Sequence, residues 1–98
     1  MDLLIILDVK KINRIVKEND IEIIYNEKYK KSFELASNIQ YEFDKLYQCD
    51  LKRRSNLSIL NKANMPSIII KIEEDIVYNH NIYQSILNNI IKFFKSEV

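Results

Sequence analysis

Acid and base side chains follow two apolar runs of the chain, and they are the residues whose types best suit chemistry. Asp8 ends the run that starts at Leu3, and Lys71 lies near the end of the isoleucine run 68–72. An aspartate at a strand end can be a hard oxygen ligand for a metal, but it also commonly ends a strand or caps the next element. A lysine can act as a base or nucleophile where burial disfavours its charge, whereas a strand-end lysine usually reaches solvent or pairs with an acid.

Other reactive side chains are isolated or poorly spaced. The acids at 73–75 are consecutive, and adjacent residues point in different directions, so a solvated acidic turn is favoured over a cation site. His80 lies between two asparagines and is interpreted as a surface histidine in a turn. Cys49 has no disulfide partner and is expected as a free thiol near a helix end. The basic run 52–54 could hold an anion or form an ordinary solvated loop.

Length and composition predict one soluble domain, residues 1–98, and exclude several classes of function. A net charge of +1 gives no basic stripe for nucleic acid. The chain has no glycine, so phosphate loops, nucleotide fingerprints and nucleophile elbows are excluded. The opening "MDLLIIL" carries an acid where a signal peptide is basic, and its apolar run is too short for a membrane span. We therefore expect a cytoplasmic protein with no membrane span.

Hydrophobic periodicity predicts an α/β fold with a small sheet of about four strands and two main helices. Residues 9–20 are left open between a short helix and a loop. Pro66 restricts Met65 to an extended conformation and opens the last strand. The predicted strands are Leu3–Leu7, Ile21–Tyr25, Leu57–Leu60 and Ser67–Ile72, and the predicted helices run from Ser32 to about Gln48 and onwards from about Asn81.

Both predicted helices carry apolar residues at helical spacing. In the first helix, Ser32 is the expected N-cap, with Glu34 in the first turn. In the second helix, the stripe at i, i+3, i+4, i+7, i+8 and i+11 is expected to be the packing face. The first stripe consists of Phe33, Ala36, Ile39, Phe43, Leu46 and Tyr47, and the second of Tyr83, Ile86, Leu87, Ile90, Ile91 and Phe94.

Three stretches together carry a resemblance to a known family: "SFELASNIQYEF", "LSILNKANMPSIIIKI" and "YQSILNNIIKFF". In this order they resemble the C-terminal half of the zinc-dependent N-acetylmuramoyl-L-alanine amidases, which cleave the amide bond between sugar and stem peptide in bacterial peptidoglycan. Two strands in the first 25 residues also fall where the family has strands. The matched positions are Leu35, Ala36, Ile39, Gln40, Leu57, Ile59, Leu60, Ala63, Met65, Pro66, Tyr83, Gln84, Ile90 and Phe94.

The resemblance also implies that the catalytic residues are missing or changed. The family binds zinc through two histidines and a glutamate, with a second glutamate as general base. The first histidine and the ligand glutamate belong to a half that this chain does not span. Asp8 stands at the second zinc-histidine position, and Lys71 at the catalytic-glutamate position. Glu73 could take the role of the general base only if this sequence had two extra residues before it relative to the family pattern. We therefore predict no catalytic residue, no bound metal and no cofactor.

Two functions are implied by the resemblance. The first is a catalytically silent amidase-like domain, a pseudoenzyme that acts as a binding or assembly module and has peptidoglycan or a cell-wall protein as partner. The second is a working amidase whose missing zinc ligands come from another chain. Family members often act at the cell wall. Leu3–Leu7 contains no proline, charge or bulge signal that would keep a strand edge from pairing with another chain. We therefore also expect a homo-oligomer, with a dimer as first choice. The alternative is a monomer in which residues 9–20 fold as a helix over that face.

Overall fold

Four strands of the described residues form one mixed sheet in the order β1-β4-β2-β3. The computed structural model describes residues 2–11, 21–45, 47, 49–53, 60, 62–77 and 80–95. The outer strands are each parallel to their neighbour, whereas β2 and β4 in the middle are antiparallel. The strands are β1 Leu4–Lys10, β2 Ile21–Tyr25, β3 Cys49–Arg53 and β4 Ser67–Glu73. The predicted α/β fold, with a small sheet of about four strands, is confirmed.

Strand β4 is the centre of the molecule, as its continuous apolar sequence predicts. Ile68, Ile70 and Ile72 are fully buried on the face that the helices cover. Ile69 faces the other side, where it packs with Ile24 and Leu60 and is 8% exposed. The predicted alternation of this strand, with both faces covered, is confirmed.

Strand β1 is longer and less covered than the sequence indicated. It continues through Asp8 to Lys10 instead of ending at Leu7, so Asp8 does not end the strand. It lies at the edge of the sheet, and Leu7 and Val9 are 39% and 47% exposed. Of the segment left open between helix and loop, Val9 and Lys10 belong to this strand, and 12–20 lie outside the described residues.

One strand of the sheet was not predicted from the sequence, and most of the predicted strand Leu57–Leu60 cannot be compared with the structure. Strand β3 is Cys49–Arg53, whereas 57–59 lie outside the described residues and Leu60 is a buried residue of the smaller core cluster. Cys49 is therefore buried at the start of a strand instead of lying near a helix end. The alternation of Cys49 and Leu51 with polar neighbours is the period-2 pattern that indicates a half-buried strand. Residues 52 and 53 of the basic run belong to this strand and not to a loop.

Helix α1, Lys30–Phe43, covers the sheet with Leu35, Ala36, Ile39 and Phe43, while Phe33 of the predicted stripe is 47% exposed. The helix begins two residues before Ser32 and ends five before Gln48. Its N-cap residue is Tyr29, which makes no side-chain capping hydrogen bond.

Ser32 was predicted to cap the helix but instead bonds to strand β4. It is buried, and its Oγ accepts a hydrogen bond of 2.9 Å from the backbone N–H of Ser67. A buried N–H without a partner is costly, so this contact satisfies the first amide of β4 and ties α1 to it.

The turn after β2 shows how this chain bends without glycine. Oδ1 of Asn26 accepts from the backbone N–H of Lys28 at 3.0 Å, an Asx-type turn. Its Nδ2 donates to the carbonyl of Leu60 at 2.9 Å. No residue in the described part of the chain has a positive φ, so asparagine supplies hydrogen bonds here and not a left-handed backbone.

Two helices come after β4: α2, Glu74–Val77, and α3, His80–Lys95. Helix α3 packs on α1 and buries Ile82, Asn89 and Phe93. The packing face expected from the sequence was therefore wrong. Of its six residues, Tyr83, Leu87, Ile91 and Phe94 are exposed, and Ile86 and Ile90 are half-buried.

Candidate functional site

A row of charged residues crosses the sheet where β1 and β4 approach their carboxyl ends. Lys71 of β4 lies in register with Asp8 of β1 on one side and with Glu22 of β2 on the other. Neighbouring strands are about 4.8 Å apart, so the three side chains emerge next to one another on one face of the sheet. The two positions that the resemblance singled out, Asp8 and Lys71, are thus direct neighbours.

The row alternates in charge: carboxylate, ammonium, carboxylate. Asp8 is exposed, whereas Lys71 and Glu22 are half-buried. The order places opposite charges on adjacent strands, which is the favourable arrangement for cross-strand pairs. Lys71 therefore stands in an acidic setting at the middle of the row.

The chemistry open to this row is narrow. A lysine ammonium has three donor hydrogens and no lone pair, so it can hold an anionic or carbonyl group but cannot ligate a metal. Zinc sites use histidine, cysteine or carboxylate donors. No group of three or more such residues lies close enough to hold a metal within the described ranges. The chemistry that the row itself offers is therefore polar recognition.

Glu73 lies two residues beyond Lys71 on β4. It could be the general base only if the alignment with the family were shifted. Glu73 is the last residue of β4 and lies in register with Lys10. Glu74 and Asp75 form the first turn of α2, where acidic residues interact favourably with the helix dipole. The acids at 73–75 thus end a strand and begin a helix, which corrects the predicted solvated turn.

His80 and Cys49 belong to other elements than the three residues of the row. His80 is the first residue of α3 and not part of a turn. Cys49 belongs to the main core cluster, and its backbone N–H donates to Oδ1 of Asp44 at 3.2 Å. Arg54 of the basic run lies outside the described residues.

Sequence reasoning missed Glu22. The pattern of "IEIIY" puts Ile21 and Ile23 on the helix-covered face and Glu22 on the other, which is a readable signal. Its place beside Lys71 depends on the antiparallel register of β2 and β4, however, and one sequence does not reveal that register.

A second feature is an open cleft between α1 and α3, with a volume of about 220 Å³. Nζ of Lys31 lies over the Phe93 ring, 5.8 Å from its centroid. Buried Asn89 donates from Nδ2 to the carbonyl of Ser85 at 2.8 Å. The cleft shares no residue with the charged row, and its apolar wall belongs to the packing seam of the two helices.

No helix in the described part of the chain is long and apolar enough to cross a membrane. No protein-family model matches the chain, and no curated protein matches it.

A solved structure does match. The chain is similar to the catalytic domain of the CD27L endolysin targeting Clostridia Difficile, with a TM-score of 0.65 and 22% sequence identity. The match covers 89% of this chain and 54% of that chain. At this identity the likeness concerns the fold: the protein has the fold of about half of an endolysin catalytic domain.

Proposed function

We propose that the protein is a catalytically silent amidase-like domain that acts as a binding or assembly module, related to the N-acetylmuramoyl-L-alanine amidases of peptidoglycan hydrolysis. The fold shared with an endolysin catalytic domain supports a relation to cell-wall hydrolases. The sequence resemblance described above supports the amidase class within them.

One observation carries the proposed silence. Asp8 and Lys71, which stand where the resemblance expects a zinc histidine and the catalytic glutamate, lie side by side on adjacent strands. Both changes therefore fall at one place, and the ammonium of Lys71 would repel a metal ion held there. A protonated lysine also cannot take a proton from metal-bound water.

The second candidate is a working amidase completed by another chain. The length of the match favours it, since this chain spans 54% of the endolysin domain. The remaining ligands would then have to come from a partner. That partner would still leave Lys71 at the position of the base.

Metal content and amidase activity test the proposed silence. We expect the purified protein to hold less than about a tenth of a zinc ion per chain and to release no stem peptide from purified cell walls. The Lys71→Glu variant should stay inactive because the zinc ligands would still be missing. Lys62→Glu, an exposed change outside the row, is the matched control. One zinc per chain at micromolar affinity, with release of stem peptide, would overturn the proposal.

Binding is tested by sedimentation with insoluble peptidoglycan. If the charged row binds the wall, Lys71→Glu should lower the pelleted fraction, because it replaces the donor at the centre of the row by a third carboxylate. Lys62→Glu should leave the fraction unchanged. Protein that stays wholly in the supernatant would refute wall binding and leave assembly as the module's role.

A further inference from the structure

We infer that two copies of this chain pair through β1 and the outer flank of α3, which together form one apolar surface. This surface consists of Leu7, Val9, Tyr83, Leu87, Ile91 and Phe94, each between 39% and 51% exposed. We call it the β1–α3 surface. The inference is independent of whether the chain binds the cell wall.

The contacts of α3 show which way its exposed stripe faces. Ser85 donates to the carboxylate of Glu42 on α1, and Nζ of Lys92 lies 3.9 Å from the same carboxylate. At 3.6 residues per turn, Tyr83, Leu87 and Phe94 lie roughly 150–170° around the helix from that side. The stripe therefore points away from α1.

The same flank lies on the β1 side of the sheet. Helix α1 covers β2 and β3, so α3, packed beside it, lies towards the other edge. Ile5 is partly buried against the core on the helix-covered face, and alternation puts Leu7 and Val9 on that face too. Helix α2 contacts both β1 and α3, so the exposed side chains of the strand and of the helix face the same edge of the molecule.

The backbone of β1 indicates what kind of element covers this edge. In the described part of the sheet β1 pairs with β4 alone, so its outer N–H and C=O groups face away from the sheet. Such groups are best satisfied by another strand. An apolar side-chain surface beside an open strand edge fits a partner that adds both a strand and an apolar helix flank, and a second copy has both.

The sequence of β1 is compatible with pairing to itself. In an antiparallel pair with the two-fold axis at Leu7, Leu7 meets its own copy and Ile5 meets Val9 of the other copy. All three pairs are apolar and lie on the helix-covered face. Asp8 and Lys10 lie on the opposite face, where they would oppose Ile6 and Leu4, so no like charges meet.

The two-fold axis would bring the α3 flanks together over the joined strands and extend the sheet to eight strands. Burial of the six side chains and the strand edge on both copies would give an interface near the lower bound of the standard size, about 1,200 Å² in total. Contiguous apolar patches above a few hundred Å² commonly mark interaction sites. We expect a dimer with a dissociation constant in the micromolar range.

Sedimentation velocity across about 2–200 µM tests the pairing. The wild type should show dimer mass at the upper end, and Leu7→Lys and Leu87→Lys should each raise the dissociation constant at least about tenfold. Tyr41→Lys is the matched control, since Tyr41 is 70% exposed on α1 outside the β1–α3 surface. Far-UV circular dichroism verifies the fold of each variant. A monomer at the highest concentration overturns the inference, whether or not it binds some other chain, as does a dimer that both lysine variants leave intact.

A cross-link tests the register independently of charged variants. Paired residues on antiparallel strands have Cβ atoms about 4.5–5.5 Å apart, near the reach of a disulfide. In a Cys49→Val background, Leu7→Cys should form a covalent dimer under mild oxidation, and Tyr41→Cys should not. Equal, slow cross-linking of the two variants would refute this pairing.

Discussion

Ile70 is the side chain on which the stability of the sheet should depend most. It is fully buried in the central strand, in register with Leu7 on one neighbouring strand and with Ile23 on the other. Replacing Ile70 by alanine removes three carbon atoms, which costs about 2.4 kcal/mol of transfer free energy at about 0.8 kcal/mol per carbon. A residual cavity of about 50 Å³ would add roughly 1.2 kcal/mol.

The expected loss of unfolding free energy is therefore about 3–4 kcal/mol, within the range of about 2–5 kcal/mol for such changes. For a domain with a total stability of about 5–15 kcal/mol, this is a large fraction. Because self-association would make the apparent stability depend on concentration, all variants should be compared at one low concentration. Urea unfolding followed by far-UV circular dichroism gives the difference in unfolding free energy between the variant and the wild type.

Leu3→Ala is the control, because Leu3 is half-buried at the edge of the same core cluster. It should cost about 1 kcal/mol, since less of its surface leaves water on folding. A loss below about 1 kcal/mol for Ile70→Ala, or equal losses for the two variants, would refute the burial argument.

Two further predictions concern buried polar and thiol groups. Ser32→Ala should lower the unfolding free energy by about 1–3 kcal/mol because the buried N–H of Ser67 loses its acceptor. Ser37→Ala on the same helix should change it by less than about 0.5 kcal/mol, and equal losses would argue against this role of Ser32. Cys49, which is 6% exposed, should react with a thiol reagent at least about 100-fold more slowly in the native protein than in concentrated guanidinium. A native rate close to the unfolded rate would show that Cys49 is not buried.

The strands with continuous apolar sequences were predictable, and the reason is local. The apolar composition of Ile21–Tyr25 and of the isoleucine run after Pro66 is enough to predict two buried strands. That prediction does not require knowing which strands lie beside them. The predicted helix from about Asn81 begins within one residue of the observed start of α3. Periodicity and the position of proline were sufficient for these elements.

The wrong predictions concern features that depend on tertiary packing. In α3 two apolar stripes compete, and the one that the sequence favoured is exposed, because the side that carries Ser85 and Lys92 contacts α1. Ser32 was expected as a cap, yet its hydroxyl serves Ser67, which lies 35 residues further along the chain. The charged row also depends on strand register. Long-range pairing decided these features, and it leaves little trace in local sequence.

The order of the strands has a consequence for how the chain folds during synthesis. β1 pairs with β4, whose residues lie 63 positions later in the chain, and β4 also joins the two halves of the sheet. Strand β1 leaves the ribosome before β4 and must therefore wait for it, which at about 5–20 residues per second takes several seconds. Throughout that interval β1 is an unpartnered apolar segment. We expect slow, late sheet closure, typical of topologies dominated by contacts distant in sequence, and recognition of β1 by holdase chaperones before β4 has been synthesised.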